Sequence, residues 1–117
     1  MNVREIAEIL GAEILCNADK AETMNIHSAC GSDMMSDVLA YVKDQGMLLT
    51  GLVNPQVVRT AEMMDISCIA FVRGKKPDAL TLSLAEAKGI IILSTEERMY
   101  PACGKLYKAG LDAGKAI

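Results

Sequence analysis

The sequence predicts a three-layer α/β domain built on a mostly parallel central sheet, and three observations carry that expectation. Continuously apolar runs recur at 47–50, 67–72 and 90–93, which is how buried parallel strands read. A turn-rich loop follows each run: Thr50-Gly51-Leu52-Val53-Asn54-Pro55, Val72-Arg73-Gly74-Lys75-Lys76-Pro77 and Leu93-Ser94-Thr95-Glu96-Glu97. Each loop then feeds a stretch with helical spacing, and this alternation belongs to parallel sheets with right-handed crossovers.

The elements can be justified in order. Val3, Ile6, Ala7 and Leu10 share one helical face, and Gly11 is a natural stop. A short strand over Glu13–Cys16 precedes a polar turn, and a second strand is expected over Asn25–Ala29. The next helix starts at Ser32 or Asp33, presents Met34, Met35, Val38, Leu39 and Val42 on one face, and ends at Gln45-Gly46. Asn54-Pro55 is a cap followed by proline at the first helical position, with Val57, Val58, Ala61 and Met64 facing inward. Pro77 opens the following helix, Leu80, Leu84 and Ala87 face its core side, and Gly89 ends it. Ser94 and Glu97 have the spacing of a capping box, so the last helix should start there. Its face would be Met99, Cys103, Leu106 and Tyr107, with a kink at Pro101.

A chain of 117 residues that is 51% hydrophobic is long enough for one domain, 1–117, with a real core. With no Trp and one Phe, that core must be packed from Val, Ile, Leu, Ala and the eight Met residues. The formal net charge of −3 argues against a nucleic-acid partner. The charge is uneven: residues 1–46 carry three basic and eight acidic side chains, residues 47–117 nine and seven. No run approaches a membrane span and no signal peptide opens the chain, so a cytoplasmic protein is expected.

Catalytic signatures are sparse. There is no P-loop, and His27 is the only histidine and has no identifiable triad partners. Cys16, Cys30, Cys68 and Cys103 are widely spaced without a Cys-x-x-Cys pair, which reads as reduced thiols rather than a metal site. Asp33, Ser36 and Asp37 share one face of a helix start, where acidic residues also simply suit the helix dipole.

The three loops should gather at the carboxyl edge of the sheet, where open α/β folds bind ligands. Thr50, Gly51 and Asn54 surround a helix N-terminus, which favours an anion. Arg73, Gly74, Lys75 and Lys76 form the one local cationic cluster, and Ser94 and Thr95 add hydroxyl donors.

Residues Thr50 to Ala61, Phe71 to Pro77 and Leu93 to Thr95 resemble the DRTGG domain family, and Cys30 to Ala40 resembles its stand-alone members. That family is related to the N-terminal domain of HPr kinase/phosphorylase and also precedes phosphotransacetylase and CBS modules. The opening Val3 to Glu13 is similar to the start of Mur-ligase N-terminal domains, which share the general fold. The Asp-Arg-Thr-Gly-Gly signature itself is absent: Leu52, Val53 and Asn54 stand where Gly-Asp-Arg is expected, and Arg73-Gly74 where Gly-Gly is usual. Stand-alone variants often neighbour iron-hydrogenase genes, and some carry iron–sulfur labels.

Together, residues and resemblance imply a non-catalytic regulatory or ligand-sensing domain that binds a nucleotide or phosphorylated metabolite. Asn54, Arg73, Lys75 and Thr95 would make the contacts, and no cofactor is specified. The alternatives are a homodimeric interaction module with a redox-enzyme partner and, more weakly, an iron–sulfur accessory protein.

Overall fold

The computed structural model describes residues 1–41 and 46–114. Five α-helices, five strands and a 3-10 turn at Ala18–Lys20 between β1 and β2 follow in the order α1 Val3–Leu10, β1 Glu13–Cys16, β2 Ala29–Gly31, α2 Met35–Tyr41, β3 Met47–Thr50, α3 Pro55–Met63, β4 Cys68–Phe71, α4 Ala79–Ala87, β5 Ile91–Ser94 and α5 Met99–Lys108. The sheet order is β1-β5-β4-β3-β2, with β2 to β5 parallel and β1 antiparallel on the edge beside β5.

Alternation along the strands divides the core in two. Met47, Leu49, Cys68, Ala70, Ile91 and Leu93 meet Val3, Ile6 and Leu10 of α1 and Ala102 and Leu106 of α5. On the other face Leu48, Ile69, Phe71 and Ile92 meet Val38 of α2, Val57, Val58 and Ala61 of α3, and Ala85 of α4. The result is the expected α/β/α sandwich. Both faces of the central strands are buried, and each large aliphatic side chain there contributes about 1.5–3 kcal/mol.

Local chemistry sets the helix starts. Asn2 and Glu5 form a reciprocal capping box on α1, and Gly11 takes a left-handed conformation at its end. Asn54 caps α3 with Pro55 at its first position, as the sequence predicts.

Elsewhere the structure corrects the expectations. The second strand lies at Ala29–Gly31 rather than Asn25–Ala29, because its partner β3 begins only at Met47 and pairs with Ala29. Asn25 instead makes an isolated bridge to Asn2. In α4, Asp78 is the cap rather than Pro77, and Thr81 and Ala85 are the buried residues while Leu80 is 65% exposed. The segment is apolar almost all round, so periodicity could not choose its face, and the smaller side chains turn inward. Ser94 belongs to β5, and α5 begins at Met99 without a side-chain cap. Pro101 therefore falls in the first turn of α5, where its missing N–H leaves no helical bond unmade and no kink is needed. Tyr107, expected inward, is 69% exposed. Met34, which precedes α2, and Leu39 on it are exposed and Val38 is buried, while Val42 and Gln45 lie outside the described residues.

Candidate functional site

Strands β2 to β5 all end on one edge of the sheet, at Gly31, Thr50, Phe71 and Ser94. The segments that follow meet there.

The turn after β4 is the most constrained of them. Arg73 and Gly74 both have positive φ, 62° and 68°, and Lys75 N–H donates to Val72 C=O at 3.3 Å. Two left-handed central residues are what a type I′ turn requires. Arginine at such a position costs about 1–2 kcal/mol, so something must hold it. Two backbone bonds do: Arg73 N–H to Glu97 C=O and Gly74 N–H to Thr95 C=O, both 2.8 Å.

That conformation lays the Arg73 guanidinium over Gly51. A Cβ at Gly51 would sit 2.7 Å from Arg73 Cζ and 2.8 Å from Nη1, so the glycine is what lets the cation approach the backbone. On the Gly51 amide itself, the Asp33 carboxylate accepts at 2.7 Å, and the same Oδ1 accepts from the Thr50 hydroxyl at 3.1 Å. Gly51 is thus held between a carboxylate and a guanidinium.

Of the predicted residues, the structure brings Thr50, Gly51, Arg73, Gly74 and Lys75 to this edge, but several polar groups are already engaged. Asn54 Oδ1 accepts from Val57 N–H at 3.2 Å, which leaves its NH2 group as the outward donor. The Ser94 hydroxyl donates to Lys75 C=O at 2.8 Å. Thr95 is buried, and its hydroxyl donates to Leu10 C=O at 2.7 Å. Lys76 forms an exposed ion pair with Glu13 at 3.0 Å. Arg73 and Lys75 form no ion pair among the described residues. The edge is not uniformly basic, since Asp33 faces Gly51 and the Glu96 carboxylate lies against Gly74, with Cδ 3.1 Å from where a Cβ would be.

Asp33 is the residue the sequence undervalued. Spacing groups it with Ser36 and Asp37, yet the structure separates them: all three are exposed, but Ser36 and Asp37 stay on α2 while Asp33 reaches across to β3. No local pattern signals a bond that spans 18 residues.

Burial pushes the Cys30 thiol up to about 11 and raises those of Cys16 and Cys103, and the wholly buried Cys68 is raised further. Among the described residues, no group of three or more His, Cys, Asp or Glu side chains could hold a metal ion. No helix among the described residues is long and apolar enough to cross a membrane.

Residues 5–109 match the DRTGG domain. The chain belongs to the DRTGG domain family. This DRTGG domain is also similar in fold to the CBS and DRTGG domains of the regulatory region of Clostridium perfringens pyrophosphatase, a structure complexed with its activator, diadenosine tetraphosphate. The likeness has a TM-score of 0.72 at 14% identity over 90% of this chain, and it spans 45% of the pyrophosphatase chain. At that identity it shows the shared fold. Among curated proteins, none matches the sequence.

Proposed function

We propose that this DRTGG domain is a non-catalytic, ligand-sensing regulatory module that binds a small anion, a nucleotide or phosphorylated metabolite, at the carboxyl edge. The observation that carries the reading is Arg73, a non-glycine residue fixed in a left-handed turn with its guanidinium set over the Gly51 backbone. Strain of this kind collects at binding sites, where the surrounding structure over-determines it. Gly51 N–H, the Asn54 NH2 group, Arg73 and Lys75 are the contacts assigned to the ligand, with Gly74 and Lys76 completing the turn. The buried hydroxyls of Ser94 and Thr95 shape the edge from beneath, and the Thr50 hydroxyl, bonded to Asp33, is a further donor. Support also comes from the pyrophosphatase region, a regulatory region complexed with a nucleotide activator.

Titration of nucleotides and pyrophosphate against thermal stability tests the reading. An anion at a hundred times its dissociation constant should add about 2.7 kcal/mol. Arg73→Ala should abolish the gain, and no gain with any anion overturns the reading.

A second reading is a homodimeric interaction module, which would also be the face offered to the redox-enzyme partner that the resemblance implies. Tyr100 and Tyr107 are 89% and 69% exposed on α5, and between them Gly104 has open space where a side chain would be. A mid-helix glycine that serves no internal packing costs about 0.5–1 kcal/mol and suits close approach of another chain. Light scattering of Tyr100→Ala and Gly104→Leu separates the readings, because an interface variant changes mass and an anion-site variant does not.

A further inference from the structure

The Gly51 amide, the natural anchor for an anion at this edge, already holds one. Its N–H donates to Asp33 Oδ1 at 2.7 Å, and Thr50 donates to the same oxygen. Both donors would suit a phosphate oxygen equally well, and the 2.7 Å Gly51 bond has the length of the stronger, charge-assisted kind. One N–H cannot serve two anions in good geometry.

We propose that the Asp33 carboxylate is an internal counter-anion, which occupies the ligand position in the empty domain and couples its filling to helix α2. The inference rests on the carboxyl-edge reading above. Its mechanical basis lies in what flanks Asp33. On one side Ser32 is tied to β3, its N–H donating to Leu49 C=O at 3.0 Å. On the other side α2 begins at Met35 and is lightly held. Among its described residues Val38 is buried and Met35 partly so, while Leu39, and Met34 just before the helix, are 40% and 59% exposed. Asp33 is therefore a joint between a fixed strand and a loosely packed helix, and its bonds to Gly51 and Thr50 pin the start of that helix.

An incoming phosphate takes the two donors and gains Arg73 and Lys75, which Asp33 does not ion-pair with. The displaced carboxylate, already exposed, is repelled by the new anion and swings further into solvent, carrying the first turn of α2 and exposed Met34 with it. Ligand binding and α2 release are then reciprocal, each weakening what opposes the other. The binding energy available to move α2 is the difference between the ligand's contacts and those of Asp33.

The test is pyrophosphate titration of the full chain, of Asp33→Ala and of Asp33→Asn, followed by calorimetry and by amide hydrogen exchange. Asn keeps an acceptor at the same place without the charge, so it guards against a folding defect in the alanine variant. The expected result is binding about tenfold tighter in both variants, equivalent to about 1.4 kcal/mol. In the unmodified chain, pyrophosphate should speed exchange across α2; in Asp33→Ala that exchange is already fast and pyrophosphate adds nothing. Equal affinity in all three chains, with Arg73→Ala abolishing it, overturns the counter-anion while the anion site stands. Weaker binding in the Asp33 variants likewise overturns it, since Asp33 would then assist the ligand. If no chain binds pyrophosphate, both the site and its counter-anion fall.

Discussion

The Thr95 hydroxyl donates a 2.7 Å hydrogen bond to the Leu10 carbonyl, joining the loop after β5 to the end of α1 across 85 residues of sequence. Both groups are buried, so the bond closes the last turn of α1 where its carbonyls would otherwise be orphaned. The carboxyl edge is therefore built on a rigid seam. Thr95→Val should remove about 1–3 kcal/mol of stability, because the Leu10 carbonyl is left buried without a donor. Urea unfolding measures the loss, and pyrophosphate affinity should not change with it. A variant that folds as tightly as the parent would show the bond to be of no consequence.

Arg73 and Gly74 allow backbone strain to be separated from binding. Gly74→Ala places a Cβ at φ 68° against the Glu96 carboxylate, and about 1–2 kcal/mol should be lost. Arg73→Gly relieves the left-handed penalty, offset by about 0.5–1 kcal/mol of glycine entropy, so its stability should stay near that of the parent. The same variant should lose anion binding. Thermal unfolding with and without pyrophosphate reads both effects.

Two buried threonine hydroxyls at the α3–α4 side, Thr60 and Thr81, have no hydrogen-bond partner among the described residues. Thr60→Val keeps the shape and deletes the unsatisfied group, and a gain of about 1 kcal/mol is expected. A higher urea midpoint at unchanged slope confirms it. A loss instead would mean that the hydroxyl is satisfied in solution.

The thiols set the alkaline behaviour. Burial raises Cys30 from 9.0 to about 11, with Cys68 raised beyond that. In the unfolded chain these groups ionise near pH 9, while in the folded chain they stay protonated. The unfolded state then binds fewer protons, so stability is full below pH 9 and falls as pH rises towards 11. Urea midpoints at pH 8 and pH 10.5 should show the decline, and replacing Cys30 and Cys68 with Ala should flatten it. The same protonation makes Cys30 slow to alkylate at pH 8 in the folded state.

Much of this was legible in the sequence. The apolar runs at β3, β4 and β5 mark buried parallel strands whatever surrounds them, and the Asn54-Pro55 start of α3 is written in two residues. Local pattern failed where two faces look alike. Helix α4 is apolar nearly all round, so only packing against β1, β5 and α3 could choose Thr81 and Ala85 over Leu80. The Ser94–Glu97 spacing imitates a capping box, yet Ser94 is pulled into the sheet by pairing with Phe71. A ladder bond outweighed the cap.

The loops that close the three apolar strands were visible from the sequence, because turn residues and strand periodicity are local and force the loops onto one edge of a parallel sheet. What meets at that edge was decided in three dimensions. Asp33 comes to Gly51 from the β2 side, Arg73 arrives through a left-handed turn, and the hydroxyls of Ser94 and Thr95 turn inward. Charges and hydrogen-bond donors carry no periodicity, so only the folded chain determines which carboxylate a given amide will find.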